Sequence, residues 1–194
     1  MLKNKLKRYK LILASGSPRR QQFFKDLNLD FEIRLKEIEE VFPPELKAEE
    51  ITNYLAELKA KAFEGELKAN EILITSDTIV WHNNKALGKP KDAQDAFDIL
   101  KSLSNATHEV ITSVCFKTIT QKTLLHEITK VTFNNLSDES IRYYIEHYKP
   151  FDKAGAYGIQ EWIGFVGVLK IEGSYANVMG MPTDKVFEYL NNLD

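Results

Sequence analysis

The sequence is nearly without cysteine and has no recognisable histidine metal motif. Cys115 is the single cysteine among 194 residues, so an internal disulfide and a cysteine-rich zinc site are both excluded. The four histidines show no His-Glu-x-x-His spacing, which a zinc protease would need. Residues alternate in polarity around Cys115, which predicts a small buried side chain in a strand. These features favour a reducing cytosol.

Long apolar runs and an excess of one charge are also lacking. The net charge is −2 and the pI is about 6.1, so no global basic field favours nucleic acid as a partner. No run approaches the roughly 20 apolar residues that cross a bilayer. The apolar run at 11–14 follows a basic stretch but is too short for a signal-peptide core. We therefore expect a cytoplasmic protein without nucleic-acid or membrane partners.

Internal repeats, flexible linkers and common catalytic signatures are missing as well. The chain has no Gly-x-Ser-x-Gly elbow, no Walker loop and no dinucleotide fingerprint. Its 194 residues suffice for one domain with a substantial core. We therefore expect a single domain over residues 1–194.

The hydrophobic pattern predicts strands mixed with helices. Residues 11–14 and "EILITSDTIVW" predict buried strands, and "HEVITSVCFKTIT" with "KTLLHEITKVTFNN" predicts an antiparallel hairpin. Helices are predicted from Pro18, within "AEEITNYLAELKAKAF", where Tyr54 follows the helical spacing of apolar residues, after Pro90, after Ser137, and around Val186, Phe187 and Leu190. A further strand is expected around "FVGVLKIEG". Because these elements do not alternate strictly, we expect an α/β fold with a mixed, twisted sheet flanked by helices.

The stretch "SGSPRR", residues 15–20, breaks a local rule. Ser17 and Pro18 predict a helix start, yet Arg19 and Arg20 follow in the first turn, where the helix dipole is already positive. Free N–H groups at a helix start bind anions, and guanidinium groups match phosphate oxygens. The pattern therefore suggests a phosphate receptor. The alternative is that both arginines point into solvent.

Asp77 interrupts the apolar run "ILITSDTIV". A buried carboxylate needs a cation, a network of donors or a metal ion, because burying it alone is costly. Asp77 is therefore a candidate ligand for a hard cation such as Mg²⁺. The alternative, a residue that caps a turn at the strand's end, is weakened because apolar residues continue through Trp81.

Two lysines and a glycine-rich loop are weaker signals. Lys59 shares the apolar stripe of its predicted helix, although such lysines more commonly extend to the surface; Lys61 lies off the stripe. Lys89 precedes Pro90 and by itself indicates little. "DKAGAYGIQ" fits either a close backbone approach to a ligand or a tight turn.

Seven segments in one order resemble the Maf family of nucleoside-triphosphate pyrophosphatases. They are "LASGSPRR", "LAELKA", "SDTIV", "LGKPKDAQDAFDILKSLS", "THEVITSV", "DKAGAYGIQ" and "IEGSYANVMGMP", which extend from about residue 11 to the C-terminus. The resemblance implies two lobes around a deep cleft, similar to the inosine-triphosphate pyrophosphatases. It also implies hydrolysis of a nucleoside triphosphate to the monophosphate and pyrophosphate with a divalent metal, Mg²⁺, Mn²⁺ or Co²⁺.

The resemblance also implies roles for individual residues. The catalytic residues would be Asp77, Lys59, Lys89 and Arg19, with Asp77 as the proton acceptor. The metal would bind Glu40 and Asp77. Substrate contacts would come from Ser15, Arg19, Arg20, Thr78 and Gln160. Family members often look dimeric, so a homodimer is a further expectation, although no interface can be assigned from the sequence.

The family divides by substrate into dTTP/UTP pyrophosphatases and 7-methyl-GTP pyrophosphatases. Arg19 after Pro18, Thr78 after Asp77, and Gln160 look like the first branch. We therefore expect dTTP and UTP as substrates, with CTP or modified pyrimidine nucleotides as further candidates. The alternatives are a 7-methyl-GTP pyrophosphatase, a nucleotide-binding regulator linked to septum formation with little turnover, and a plain phosphatase that releases orthophosphate.

Overall fold

The computed structural model describes residues 2–193 as seven strands and a set of helices that flank them. The strands are β1 Lys10–Leu13, β2 Phe31–Ile33, β3 Glu71–His82, β4 Lys85–Leu87, β5 Thr107–Lys117, β6 Lys122–Phe133 and β7 Val168–Glu172. The α-helices are α1 Leu2–Lys5, α2 Pro18–Asp26, α3 Glu49–Lys61, α4 Ala93–Leu103, α5 Asp138–Tyr148, α6 Trp162–Gly167, α7 Tyr175–Val178 and α8 Thr183–Asn191. The strand order is β2-β1-β3-β5-β6-β7, with β4 paired to β3. Parallel and antiparallel pairs occur together, which confirms the predicted mixed α/β sheet.

The chain divides into two compact units. The first contains the chain up to Asp77, residues Thr112–Glu127, and the chain from Gly180 onward. The second contains Thr78–Ile111 and Ile128–Met179. The expectation of a single domain over residues 1–194 stays a prediction.

The first unit is built on parallel strands that are buried on both faces. β1 pairs with β2 and with β3 in parallel, with Leu11 opposite Ile72 and Leu13 opposite Ile74. One face packs against Phe24 of α2, and the other face, through Ile12, packs in a separate apolar cluster that includes Cys115. The continuous apolar run in β3 follows from this double coverage.

The second unit has an antiparallel arrangement around its own core. β3 turns into β4 through two asparagines, Asn83 and Asn84, which both have positive φ as a tight hairpin turn requires. β6 pairs with β7 antiparallel, and the core includes Leu100 of α4 and Tyr144 of α5. Ser137 accepts a hydrogen bond from the backbone N–H of Ser140 and so caps α5, as predicted.

Several local expectations are wrong. The strand expected from about Phe165 begins only at Val168, because the preceding residues form the short helix α6, which buries Ile163 and Gly167 four residues apart. Tyr54 and Phe187, which belong to the apolar patterns of their predicted helices, are 39% and 43% exposed. Helices α1 and α7 and strand β2 were not predicted, since each has only three or four residues. Among the helices of residues 2–193, none combines the length and the apolar character that crossing a membrane requires.

Candidate active site

Asp77 lies in the interior of strand β3, so its interpretation as a turn cap at the strand's end is wrong. The residue is only 6% exposed, and β3 continues to His82. Its carboxylate has the cation that burial demands, because Oδ1 lies 2.6 Å from Nζ of Lys59. The carboxylate is therefore held in a fixed position while remaining at the edge of the buried region.

Lys59 is directed inward and does not extend to the surface. It lies on α3, near Leu55 and Ala56, which are buried, and its side chain is 12% exposed. Its ammonium contacts Asp77 and also lies 2.8 Å from Oε1 of Glu40. One lysine thus bridges two carboxylates that are far apart in the sequence.

Glu40 belongs to the irregular segment 34–48 between β2 and α3. Its side chain is 47% exposed, so one side of the carboxylate pair is open to solvent. Two basic residues fix the start of this segment. Arg34 binds the buried Glu71 through two N–H groups, at 2.9 and 3.1 Å, and Lys36 donates to the carbonyl of Ala62 at 2.7 Å. Glu40 is therefore carried by a segment that is attached both to β3 and to the end of α3.

Helix α2 begins as the sequence predicts. The side chain of Ser17 accepts a hydrogen bond from the backbone N–H of Arg20, and Pro18 occupies the first turn. Ser15, which is buried, places its hydroxyl 3.2 Å from the backbone nitrogen of Ser17. The N-terminus of α2 is thus built by two serine hydroxyls that satisfy local N–H groups.

Arg20 folds back over its own helix start instead of pointing into solvent. Its Nε donates to the carbonyl of Gly180 at 2.9 Å, and its Nη1 donates to the carbonyl of Ser76 at 3.0 Å. Nη1 also lies 3.5 Å from the hydroxyl of Ser15. Because Ser76 precedes Asp77, Arg20 fixes the backbone immediately beside the buried acid.

The electrostatics place several predicted residues within range of Arg20. Burial lowers the pKa of its guanidinium. The negative charges of Asp77 and Glu40 raise this pKa, and the positive charge of Arg19 lowers it further. Arg19 lies one residue earlier in the same helical turn and is half-buried. The first unit therefore gathers six of the nine predicted site residues: Ser15, Arg19, Arg20, Glu40, Lys59 and Asp77.

The remaining three predicted residues, Thr78, Lys89 and Gln160, lie in the second unit. Lys89 is exposed, and the preceding Gly88 accepts a hydrogen bond at 3.0 Å from the backbone N–H of Gly155 in the glycine-rich loop. Gly155 has φ +69°, and a Cβ there would lie 2.5 Å from Cγ2 of Val80. The glycine therefore permits a close approach, so the second unit brings the segment of Lys89 beside the loop that contains Gln160.

The carboxylates of Glu40 and Asp77 are candidate ligands for a metal ion. Among residues 2–193, no group of three or more His, Cys, Asp or Glu side chains is placed to hold a metal ion. Glu40 and Asp77 nevertheless converge on one ammonium. Mg²⁺ commonly takes one or two carboxylates and completes its shell with water and substrate phosphate oxygens. The donor set fits an ion that binds together with a phosphorylated substrate.

Sequence reasoning missed the backbone acceptors of this site. The carbonyls of Ser76 and Gly180 anchor Arg20, and no side-chain motif reports a carbonyl. It also missed the pair of Arg34 and Glu71, although a charged residue at the start of an apolar strand is a usable signal. The hydrogen bond from Arg34 lowers the pKa of Glu71 to about 2.

Known proteins resemble this chain over almost its whole length. The family model described as Maf-like protein matches residues 10–193. A protein of Flavobacterium johnsoniae named dTTP/UTP pyrophosphatase is 78% identical over 193 residues, which cover 100% of both chains. Proteins with the same name from Flavobacterium psychrophilum and Christiangramia forsetii are 65% and 52% identical. The two alignments cover 99% and 100% of this chain and 98% of each relative.

Among solved structures, a nucleoside-triphosphatase, or dITP/XTP pyrophosphatase, of Mycobacterium abscessus aligns with a TM-score of 0.43 at 13% identity. The alignment covers 64% of this chain and 74% of that one. The sequence matches, in contrast, extend over almost every residue of the chain. On that evidence the chain belongs to the Maf family.

Proposed function

We propose that this chain is a nucleoside-triphosphate pyrophosphatase that hydrolyses dTTP and UTP to the monophosphate and pyrophosphate. The relative that is 78% identical over its full length has the name dTTP/UTP pyrophosphatase, which supports the substrate. One structural observation supports the chemistry above all. The ammonium of Lys59 lies between the carboxylates of Asp77 and Glu40, with Arg20 bonded to the backbone beside Asp77.

The cationic residues would bind the triphosphate. Such a substrate carries about four negative charges at neutral pH, by the ionisation of phosphate groups. Arg19 and Arg20 in the first turn of α2 offer positive charge, and the hydroxyl of Ser15 lies 3.5 Å from Nη1 of Arg20. Lys59 and Lys89 would offset charge that develops on the leaving pyrophosphate. The resemblance alone assigns this role to Lys89.

Asp77 would orient and deprotonate the attacking water. The water oxygen forms a bond to the α-phosphorus, and its proton passes to the carboxylate of Asp77. The bond between the α-phosphorus and the bridging oxygen breaks, and pyrophosphate leaves in line with the attack. Burial of Asp77 and its contact with Lys59 keep the carboxylate oriented. Because water attacks the phosphorus directly, no covalent enzyme intermediate is required.

Glu40 and Asp77 are the residues that would hold a divalent cation, Mg²⁺, Mn²⁺ or Co²⁺. When bound, such an ion neutralises phosphate charge and lowers the pKa of a coordinated water. Two carboxylates that share one ammonium are already close enough to serve a common cation. The half-exposed side chain of Glu40 leaves that position accessible from solvent.

Gln160 would recognise the base, and Thr78 would contact the substrate as the resemblance implies. An amide donates to O4 and accepts from N3–H of uracil or thymine, whereas cytosine presents the reverse pattern. An unmatched buried polar pair costs about 1–3 kcal/mol, which gives moderate discrimination. CTP and modified pyrimidine nucleotides are therefore weaker or additional substrates in this proposal.

Release of pyrophosphate from a panel of dTTP, UTP, CTP, GTP and 7-methyl-GTP tests the proposal, with each divalent metal in turn. The Asp77→Asn protein, purified in parallel, serves as the blank for contaminating activity. We expect pyrophosphate as the direct product and the highest kcat/KM for dTTP and UTP. A preference for 7-methyl-GTP would overturn the substrate, and direct release of orthophosphate would identify a plain phosphatase. Tight nucleotide binding without turnover would favour a regulator.

The proposal also includes the cellular compartment and the assembly state. We propose a cytoplasmic homodimer. The single cysteine, Cys115, is buried, and burial raises the pKa of its thiol to about 11, which suits a chain that does not depend on disulfides. The resemblance supports the dimer. Light scattering coupled to size-exclusion chromatography measures the mass, and a mass near 22.3 kDa at all concentrations would contradict the dimer.

A further inference from the structure

Gln160 occupies a turn whose two ends are attached to one buried hydroxyl. The backbone N–H of Glu161 donates to the carbonyl of Gly158 at 3.0 Å, which makes Gln160 the third residue of a four-residue turn. The hydroxyl of Tyr144 accepts a hydrogen bond at 2.9 Å from the N–H of Gly158, the first residue of the turn. The same hydroxyl donates to Oε2 of Glu161, the last residue of the turn.

A lysine attaches the same carboxylate to the start of the glycine-rich loop. Nζ of Lys153 lies 3.2 Å from Oε1 of Glu161, and the two side chains are 9% and 19% exposed. The ion pair of Lys153 and Glu161 therefore connects the two ends of the loop between them. Surface ion pairs contribute little, but this pair is largely removed from solvent and each member has a second hydrogen-bond partner.

The glycine at the first turn position is needed for this arrangement. A Cβ at Gly158 would lie 2.8 Å from Cδ of Glu161, a distance that real side chains do not adopt. The carboxylate therefore folds across the turn over the space that any other residue would fill. The absence of a Cβ at Gly158 thus lets the carboxylate lie next to the backbone that carries Gln160.

We propose that Tyr144, together with Glu161 and Lys153, is a positioning residue that sets where the amide of Gln160 meets the pyrimidine base. The inference rests on the proposed role of Gln160 in base recognition. Within residues 2–193, the amide of Gln160 has no hydrogen-bond partner in the described structure. Its position is thus determined by its backbone, and the backbone is determined by the three surrounding side chains.

The chemistry of the phenol suits a permanent donor. Tyr144 is fully buried, and burial, followed by the hydrogen bond to Glu161, raises the pKa of its hydroxyl. The hydroxyl therefore remains protonated at neutral pH. It accepts from Gly158 and donates to Glu161 at the same time, which a phenylalanine at this position cannot do.

Tyr144→Phe removes one oxygen atom and tests the inference. Tyr148→Phe is the matched control, because it makes the same change on the same helix at a side chain that is 37% exposed. For Tyr144→Phe we expect KM for UTP and dTTP to rise about tenfold, as the loss of one hydrogen bond to a substrate would produce. We expect kcat to stay within about threefold, and the ratio of kcat/KM for UTP over CTP to fall about fivefold. Tyr148→Phe should leave KM, kcat and the ratio of kcat/KM for UTP over CTP unchanged.

Gln160→Ala separates failure of this inference from failure of the proposed function. If Gln160→Ala leaves the ratio for UTP over CTP unchanged, base recognition by Gln160 is wrong and the inference falls with it. If Gln160→Ala lowers the ratio but Tyr144→Phe behaves like Tyr148→Phe, only the positioning role is wrong. A loss of kcat at constant KM in Tyr144→Phe would also overturn that role.

A second variant keeps the test available if Tyr144→Phe does not fold. Glu161→Gln retains an oxygen that accepts from Tyr144 and removes the charge that Lys153 neutralises. We expect the same direction of change in KM and in the ratio for UTP over CTP, but smaller. Its matched control is Glu172→Gln, which removes one member of the exposed pair with Lys170. Equal kinetic parameters for Glu161→Gln and Glu172→Gln would contradict the inference.

Discussion

Nζ of Lys59 lies 2.6 Å from Oδ1 of Asp77, so the buried acid of strand β3 is paired with a lysine of helix α3. The same nitrogen lies 2.8 Å from Oε1 of Glu40. Two carboxylates therefore share one ammonium, and carboxylate oxygens are ligands that a hard cation prefers. Arg20 and Arg19 contribute positive charge at the adjoining helix start. The arrangement places groups suited to a metal ion and groups suited to phosphate within one unit.

Asp77→Asn should abolish turnover without unfolding the protein. The amide keeps the shape and an oxygen near Lys59, but it cannot accept a proton from the attacking water. A positioned general base contributes about 10²–10⁴ in rate, so we expect kcat to fall by at least about 100-fold. Pyrophosphate release with Mg²⁺ and Mn²⁺ measures the effect, and circular dichroism checks folding. Asp98→Asn, in the exposed part of α4, is the control. Equal activity of Asp77→Asn and wild type would remove Asp77 from the mechanism.

Lys59→Ala should reduce hydrolysis more strongly than stability. The change leaves two carboxylates without their common cation, but Glu40 is half-exposed and water can reach the pair. We expect kcat/KM for dTTP to fall about 100-fold and the melting temperature to fall by no more than about 10 °C. Lys61→Ala, on the same helix and exposed, should leave both unchanged. A collapse of stability with normal turnover of the remaining folded protein would make Lys59 a structural residue.

The sequence predicts the buried elements of this chain well and its backbone acceptors poorly. The apolar run of β3 and the capped starts of α2 and α5 depend on local patterns, and the structure has them where the patterns indicate. The sequence also indicates Asp77, because a charge inside an apolar run demands a partner. The partner itself, Lys59, was ambiguous, since a lysine on an apolar stripe fits both an inward and an outward direction.

Other features could not be predicted because they depend on tertiary contacts. Helix α6 replaces the start of an expected strand, since six residues with two glycines have no decisive period. Arg20 is anchored by the carbonyl of Gly180, which lies 160 residues away in the sequence. Tyr144 reaches the turn that contains Gln160 only after α5 packs in the core. A single sequence contains no record of such pairings.

Glu71→Gln should change the pH dependence of stability at low pH. The hydrogen bond from Arg34 lowers the pKa of Glu71 to about 2 from an ordinary value of 4.5. A carboxyl with a lowered pKa stabilises the fold above its unfolded pKa, and this contribution disappears as the pH falls through its folded pKa. Wild type should therefore exceed Glu71→Gln by about 2 kcal/mol above pH 4.5, as a charged hydrogen bond contributes. The difference should shrink between pH 4.5 and about 2.

Urea unfolding at several pH values measures that difference. Glu172→Gln, which removes an exposed carboxylate paired with Lys170, is the control and should stay within about 0.5 kcal/mol of wild type throughout. A constant difference between wild type and Glu71→Gln from pH 7 to pH 2 would contradict the assignment. It would mean that Glu71 contributes through packing and not through its charge.

Ser76→Ala should stabilise the protein. The hydroxyl of Ser76 is buried and has no hydrogen-bond partner in the part of the chain that the structure describes, so its desolvation is not compensated. Removing it should raise the free energy of unfolding by about 1 kcal/mol, because a buried unsatisfied group costs about 1–3 kcal/mol and a small cavity offsets part of the gain. The backbone carbonyl of Ser76 that accepts from Arg20 is retained in the variant.

Ser113→Ala is the matched control for Ser76→Ala, since it deletes a buried hydroxyl that is fully used. The hydroxyl of Ser113 lies 2.6 Å from Oγ1 of Thr52 and donates to Oδ1 of Asn53 at 2.7 Å. Its loss leaves buried polar groups unpaired, so this variant should be less stable than wild type by about 1–3 kcal/mol. Opposite signs in the two serine variants would establish that hydrogen bonding decides the effect. A destabilised Ser76→Ala would instead mean that its hydroxyl has a partner, such as a bound water.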